Sequence, residues 1–416
     1  MTADPHRARP RHGQAGRLAR APEGAAGGTS AGPVVDMGEF GRYAGPHRLH
    51  AAAVRGERVR VTWEDGAQAE FHRLWLRDNC ACADCRHPQT RERTVKLVDI
   101  AEPGRPDAQA DGEGALLCGW ADGHVSRFDP NWLRQRRPEA DAPVRPEARL
   151  WTAERMARGL PSVDHHAVMH TDDGLRRWLD ALARDGAVLI TDGPCEPEEV
   201  VRVAERIGWP RETNFGRHFD VQSKPNPNNA AYTAIRLEPH VDLPNWQRPP
   251  DFQFLYCLEN AAEGGESLLV DGFAVAGVLA REDPEAYETL CTLPVDFRFQ
   301  DSDNDIRYRA PVIGRDADGE VREIRFNNWI RDAQPMDPDT AERFYRGYRR
   351  FWELLRDPRY MIRFPLEPGC MMAFDNLRVL HGREEFYPNT GRRHLQGCYV
   401  DRDLVESRLR VVARDG

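Results

Sequence analysis

Apolar and polar positions along this chain follow two periods. Val59-Arg60-Val61-Thr62-Trp63 and Ala67 to Phe71 alternate around the turn residues Glu64-Asp65-Gly66, a pattern that predicts short strands. They open a small β-rich module that runs to about Leu133. Further on the period lengthens. Thr171-Asp172 caps a predicted helix with Leu175, Trp178, Leu179 and Leu182 on one face. Ala187 to Ile190 reads as a buried strand and Pro197 to Ile207 as a second helix. Short strands follow around Tyr232, Phe252 to Leu258, Ser267 to Val270, Phe297, Arg322 to Phe326, Met361 to Phe364, Met371 to Phe374 and Leu395 to Val400. One amphipathic helix interrupts them, about Thr340 to Leu355, with Phe344, Tyr348, Phe351 and Leu355 on one side. No segment repeats. The expected fold is mainly β with helices: a double-stranded β-helix (jelly roll) preceded by a small β-rich domain.

The stretches without a period set the expected boundaries. Residues 1–45 are rich in Arg, Ala, Gly and Pro and read as a disordered extension. The N-terminal domain then covers 46–135, a Pro- and Arg-rich linker 136–170, and the main domain 171–416. A net charge of −9 with no basic block outside the N-terminal tail argues against nucleic acid as a partner. No apolar run reaches transmembrane length, and the N-terminus lacks the apolar core of a secretory signal, so no membrane partner is expected. Six of the nine Cys are scattered, which is no disulfide framework and points to the cytoplasm.

Chemistry enters with His240-Val241-Asp242. On a strand the period of two puts His240 and Asp242 on one face, and His381 can complete the set from a neighbouring strand. Two His and one carboxylate form the facial triad of non-haem Fe(II) oxygenases, whose open face takes a co-substrate and O2. Arg392 and Arg393 follow His381 after the turn Pro388-Asn389-Thr390-Gly391, which places His381 and the Arg pair on facing strands of one hairpin. Arg suits a bidentate grip on a carboxylate. Arg393 shares a face with Leu395, Gly397 and Tyr399, the set that looks inward, so Arg393 is the expected anion ligand.

A second cluster is Cys80-Ala81-Cys82-Ala83-Asp84-Cys85. Three thiols in six residues favour Zn2+, which takes four tetrahedral ligands. The fourth is left among His72, His87, Cys118 and His124.

From about Val59 to Arg410 these segments resemble the taurine-dioxygenase-like superfamily of Fe(II)/2-oxoglutarate oxygenases, and within it the gamma-butyrobetaine dioxygenase family. The likeness includes Leu74-Trp75-Leu76-Arg77-Asp78-Asn79-Cys80, Asn228 to Thr233, His240 to Pro244, Gly264-Gly265-Glu266-Ser267, Val270 to Phe273, Phe326-Asn327-Asn328, and the stretches around His381 and Arg393. The resemblance implies iron at His240, Asp242 and His381. It implies 2-oxoglutarate held at its distal carboxylate by Arg393 with help from Ser267. It selects His124 as the fourth ligand of a structural zinc. It further implies a trimethylammonium substrate in a cage of Phe215, Phe219, Tyr232 and Tyr399, with its carboxylate met by Asn229 and Asn327. Phe215 and Phe219 stand where animal members carry Tyr and Trp. Hydroxylation is implied in place of halogenation, because Asp242 fills the position where halogenating relatives keep a small residue. The expected reaction is gamma-butyrobetaine to L-carnitine, with trimethyllysine or a trimethylaminoalkyl phosphonate as the alternative substrate and a non-catalytic zinc-binding protein as the alternative class. Ascorbate as auxiliary reductant and a homodimer complete the expectations.

Overall fold

The alternation at Val59–Phe71 folds into a meander of β1 (Leu49–Arg55), β2 (Arg58–Trp63) and β3 (Gln68–His72). Val59 faces Phe71 and Val61 faces Ala69, so the apolar residues share a side and are buried. The structure, a computed structural model, describes residues 35–39, 43, 45–100, 104–138, 146–223 and 233–413. It divides into two compact units, Met1–Ala142 and Pro143–Gly416. In the first unit α1 (Arg73–Asp78) follows the meander. A second sheet of β4 (Asp107–Ala110), β5 (Leu116–Gly119) and β6 (Val125–Phe128) leads into α2 (Pro130–Gln135). Asp129 caps α2 by accepting the N–H groups of Asn131 and Trp132. Trp63, Leu76, Leu116, Phe128 and Trp132 share one core. Burying each such side chain stabilises the unit by about 1.5–3 kcal/mol. The extension expected over residues 1–45 lies mostly outside the described residues. Near its end, Met37 is buried in this core and the Val35 N–H donates to Asp129.

The second unit opens inside the stretch expected as linker. There β7 (Ser162–Asp164) and α3 (His165–His170) precede α4 (Asp172–Asp185), β8 (Ala187–Thr191), α5 (Glu199–Glu205) and β9 (Phe219–Val221). Next come β10 (Leu237–His240), β11 (Phe252–Asn260), β12 (Glu263–Gly264) and β13 (Ser267–Asp271). The helices α6 (Gly272–Glu282) and α7 (Pro284–Thr292) lead to β14 (Pro294–Gln300), β15 (Asp305–Pro311), β16 (Ile313–Arg315) and β17 (Val321–Ile324). The chain closes with α8 (Pro338–Arg356), β18 (Met361–Phe364), β19 (Met371–Asp375), β20 (Val379–Arg383), β21 (Phe386–Tyr387), β22 (Arg393–Val400) and α9 (Arg402–Val412).

Two sheets organise this unit: four strands ordered β10-β20-β13-β18 and six ordered β7-β8-β19-β11-β22-β9. All pairs in them are antiparallel except β7 with β8. Leu255, Met372, Phe374 and Leu395 from the larger sheet pack with Leu269 and Val379 from the smaller. The two sheets therefore meet face to face through this cluster. The outer face of the larger sheet is covered by α4 and α5, and the smaller by α6 and α8.

Three expectations are corrected. The amphipathic helix at Thr340–Leu355 is joined by α6, α7 and α9, so it does not stand alone among the strands. In α6 the run Phe273-Ala274-Val275-Ala276 has no polar face, because α6 is packed between other elements, and no 3.6-residue stripe shows. His381 and the Arg pair do not lie on one hairpin: β20 belongs to the smaller sheet and β22 to the larger, where β22 pairs with β11 and β9. Turn residues mark a change of direction but not which sheet the chain enters next. Nor does His240-Val241-Asp242 lie on one strand. The strand ends at His240, and Leu243 turns the chain at φ 55. The strand expected around Tyr232 lies outside the described residues.

Candidate metal and substrate site

His240 and His381 face each other across adjacent strands, since His240 of β10 is in register with His381 of β20. Their ring centroids are 4.3 Å apart. Asp242 reaches the same point from the loop beyond β10: His240 Nε2 lies 3.3 Å and His381 Nε2 3.8 Å from its Oδ1. Asn376 holds this loop in place. Its Oδ1 accepts the Asp242 N–H at 2.8 Å, and its Nδ2 donates to Asp242 O at 3.0 Å and Pro250 O at 2.9 Å. Asn376 is fully buried. Its place five residues before His381 is the only signal of this role in the sequence.

The donor atoms fit a metal. His240 Nδ1 lies 2.8 Å from Glu238 O, so Nδ1 carries the proton and Nε2 offers its lone pair. Burial, with the neighbouring His240, pushes His381 down to about 3, so its ring is neutral at ordinary pH. Burial alone would raise the Asp242 carboxyl. The two imidazoles and the Tyr399 hydroxyl outweigh it and hold Asp242 well below the usual carboxylate range. Two imidazoles and one carboxylate, with donor atoms within 4.8 Å of one another, form a compact ligand set.

At the start of β22, Arg393 is buried, while Arg392 just before it is exposed and pairs with Glu259. Burial lowers Arg393 to about 10, and its Nε has no partner. Ser267 is buried in β13, two positions from Leu269, which faces His381. Phe219 lies tilted against Tyr399 at 5.2 Å and 6.3 Å from Phe215, ring centroid to ring centroid. Gly397 makes room for Phe219: a Cβ there would come within 2.6 Å of the ring. Phe299, absent from the sequence reading, extends the aromatic row at 5.7 Å from Phe215. It sits on β14, far from any quoted motif, so no sequence signal marked it. Tyr399 does more than offer a face, since its hydroxyl donates to Asp242 Oδ2 at 2.8 Å. Asn327 is engaged within the protein: Nδ2 donates to Val241 O at 3.1 Å and Oδ1 accepts the Trp329 N–H at 3.0 Å. One N–H remains for a ligand. Asn229 and Tyr232 lie outside the described residues.

In the first unit the Cys80, Cys82 and Cys85 sulfurs stand 3.2, 3.7 and 3.6 Å from His124 Nε2. Ordinary Zn–S and Zn–N bonds in a tetrahedron give a sulfur–nitrogen edge of roughly 3.6 Å. The rivals for the fourth place have other work. His72 caps α1, His87 accepts the N–H groups of Gln89 and Thr90, and Cys118 is packed in the core. Burial pushes the Cys85 thiol up to about 12 and raises that of Cys80 as well, so a cation binding there has to displace their protons.

Two His and a carboxylate closing one side of a site, with a buried arginine nearby, is the arrangement of the non-haem iron oxygenase class. Residues 143–399 match the Taurine catabolism dioxygenase TauD, TfdA family, and residues 51–134 the Gamma-butyrobetaine hydroxylase-like N-terminal region. The chain belongs to the TauD, TfdA dioxygenase family. It is 45% identical to a gamma-butyrobetaine dioxygenase of Pseudomonas sp. (strain AK-1), with 88% of this chain and 96% of the relative covered. A Homo sapiens gamma-butyrobetaine dioxygenase is 33% identical, with 85% and 94% covered. A mitochondrial trimethyllysine dioxygenase of Gallus gallus is 32% identical, with 88% and 89% covered. Among the described residues no helix is long and apolar enough to cross a membrane.

Proposed function

We propose that this protein is an Fe(II)- and 2-oxoglutarate-dependent hydroxylase that converts gamma-butyrobetaine to L-carnitine. The observation that carries the reading is the aromatic row ending on Tyr399, whose hydroxyl is bonded to Asp242. It brings a surface suited to a quaternary ammonium to the edge of the metal ligands. Such a cation cannot donate hydrogen bonds and is best met by aromatic faces. Identity to gamma-butyrobetaine dioxygenases over 85–88% of the chain supports the same reading.

In this reading His240, Asp242 and His381 hold iron, which with O2 and 2-oxoglutarate supplies the oxidising power for C–H hydroxylation. The chain's own residues orient and exclude water. Glu238 O and Asn376 fix the ligand set. Arg393, with Ser267, takes the distal carboxylate of 2-oxoglutarate. Phe215, Phe219, Tyr399 and Tyr232 surround the trimethylammonium group, and Asn229 and the spare N–H of Asn327 meet the substrate carboxylate. The two facing sheets form a double-stranded β-helix. Cys80, Cys82, Cys85 and His124 hold a structural zinc in the N-terminal domain, and β7 and α3 belong to the oxygenase domain.

The test is succinate release with iron across gamma-butyrobetaine, trimethyllysine, a trimethylaminoalkyl phosphonate and a tert-butyl isostere of gamma-butyrobetaine. Gamma-butyrobetaine should give the highest kcat/KM and the isostere the lowest. Equal turnover of the isostere would reject the cage, and no iron-dependent succinate would reject the enzyme.

A further inference from the structure

Arg383 is a second buried cation near Arg393, and the proposed function gives it no task. It lies two residues beyond His381, so both side chains leave the same face of β20, and it sits directly opposite Ser267 of β13. It is only 4% exposed. One terminal nitrogen donates to Thr233 O at 2.8 Å and Ile235 O at 2.9 Å, and its Nε has no partner. Its guanidinium lies 4.7 Å from the ring centroid of Phe386, and that of Arg393 lies 5.6 Å from the same centroid. Two buried guanidiniums, carried by different sheets, therefore share one aromatic ring. Gly265, at φ +73, lies close beside Arg393 and Phe386: a Cβ there would stand 3.1 Å from Arg393 Nε.

No described carboxylate pairs with either cation. Glu384, next in sequence, pairs with Arg236 and Arg363, and Glu259 pairs with Arg392. Unpaired charge in a low-dielectric interior is costly, and two like charges repel. Carbonyl oxygens offset part of this for Arg383, and for Arg393 the face of Phe386 offsets part of it. An anion meeting both guanidiniums would remove both penalties. Building one cation into the pocket would suffice for a carboxylate grip, so the second has to be explained by charge or by its bonds to Thr233 and Ile235.

We propose that Arg383 is a second cation of the co-substrate pocket, acting with Arg393 on the distal carboxylate of 2-oxoglutarate. This rests on the proposed function. It extends that reading from one Arg to a pair on a shared ring, and assigns Arg383 a charge role beyond its backbone bonds.

The experiment is anaerobic calorimetry of 2-oxoglutarate and pyruvate binding to the iron-loaded full chain. Pyruvate keeps the oxoacid and lacks the distal carboxylate. Arg383→Gln removes the charge and can still donate to a carbonyl, while Arg383→Lys keeps the charge and loses the forked geometry. Arg383→Gln should weaken 2-oxoglutarate about tenfold or more, roughly 1.4 kcal/mol, and leave pyruvate within about twofold. Arg383→Lys should keep 2-oxoglutarate within about threefold of wild type. Equal weakening of both oxoacids by Arg383→Gln would overturn the proposal, because the residue would then be only a strap for the segment before β10. Should Arg383→Gln fail to fold, the Lys variant decides: a folded protein that has lost 2-oxoglutarate by more than tenfold overturns it. Wild-type protein that binds neither oxoacid would overturn the proposed function itself, and this inference with it.

Discussion

The two ligand clusters differ in how they are assembled and in what they leave open. Cys80, Cys82 and Cys85 come from one short segment, and a single distant residue, His124, completes four donors. A full tetrahedral shell has no position for water or substrate, so it can only hold structure. His240, Asp242 and His381 offer three donors from two strands and a loop. An octahedral metal there keeps its remaining positions for reactants. The contrast shows how donor count and donor origin separate a staple from a site of chemistry. The Cys cluster is local, as suits a staple for a small module. The His/Asp set is dispersed, and its geometry is imposed by neighbours such as Asn376.

This contrast can be broken by experiment, beginning with the largest effect. His240→Ala or His381→Ala should reduce 2-oxoglutarate turnover to background, with the melting temperature of the protein little changed. Normal activity in either variant would remove the ligand set from the chemistry. In the other cluster Cys82→Ser should do the reverse. It should lose about one zinc per chain by metal analysis and add an early unfolding transition in calorimetry, since zinc binding in such sites is folding free energy of about 10 kcal/mol or more. Unchanged zinc content and stability would make the four residues a coincidence.

Arg393→Ala should raise the KM for 2-oxoglutarate through loss of a desolvated charge contact, about 2–5 kcal/mol. Arg392→Ala should change it little, because its side chain is exposed. A larger effect at Arg392 would show that the strand parity is misread. Asn376→Ala should lower iron affinity or kcat by about 10–100-fold, as loss of a ligand-orienting neighbour does, with iron content as the check. Unaltered iron binding would mean that Asp242 needs no such clamp. The smallest effect is at Tyr399. Tyr399→Phe keeps the aromatic face and loses the bond to Asp242, whereas Tyr399→Leu loses both. Affinity for gamma-butyrobetaine should fall between Phe and Leu by about 0.5–2 kcal/mol. Equal affinities for the two variants would reduce the row to packing.

Much of the candidate site can be read in the sequence because its parts are short motifs with fixed internal spacing. His240 and Asp242, the Cys triplet, and the choice of Arg393 over Arg392 by alternation all depend on neighbours within a few residues. Long-range assignments fared unevenly. His381 meets His240 as expected, yet the hairpin joining His381 to Arg393 does not exist, because β20 and β22 enter different sheets. Phe299, Asn376 and Arg383 escaped for a related reason. Each earns its place by what stands across from it, and a single sequence does not say what that is.

The sequence by itself determined the chemical types present, the periods that make the elements, and the local clusters of donors. Side-chain alternation and thiol density act over a few residues, so they survive without a fold. Tertiary structure alone decided which sheet each strand joins, that Asp242 sits in a loop clamped by Asn376, and that Arg383 and Arg393 share the ring of Phe386. Those outcomes follow from burial and hydrogen-bond satisfaction across hundreds of residues, where packing of the whole unit selects one arrangement among many that local pattern allows.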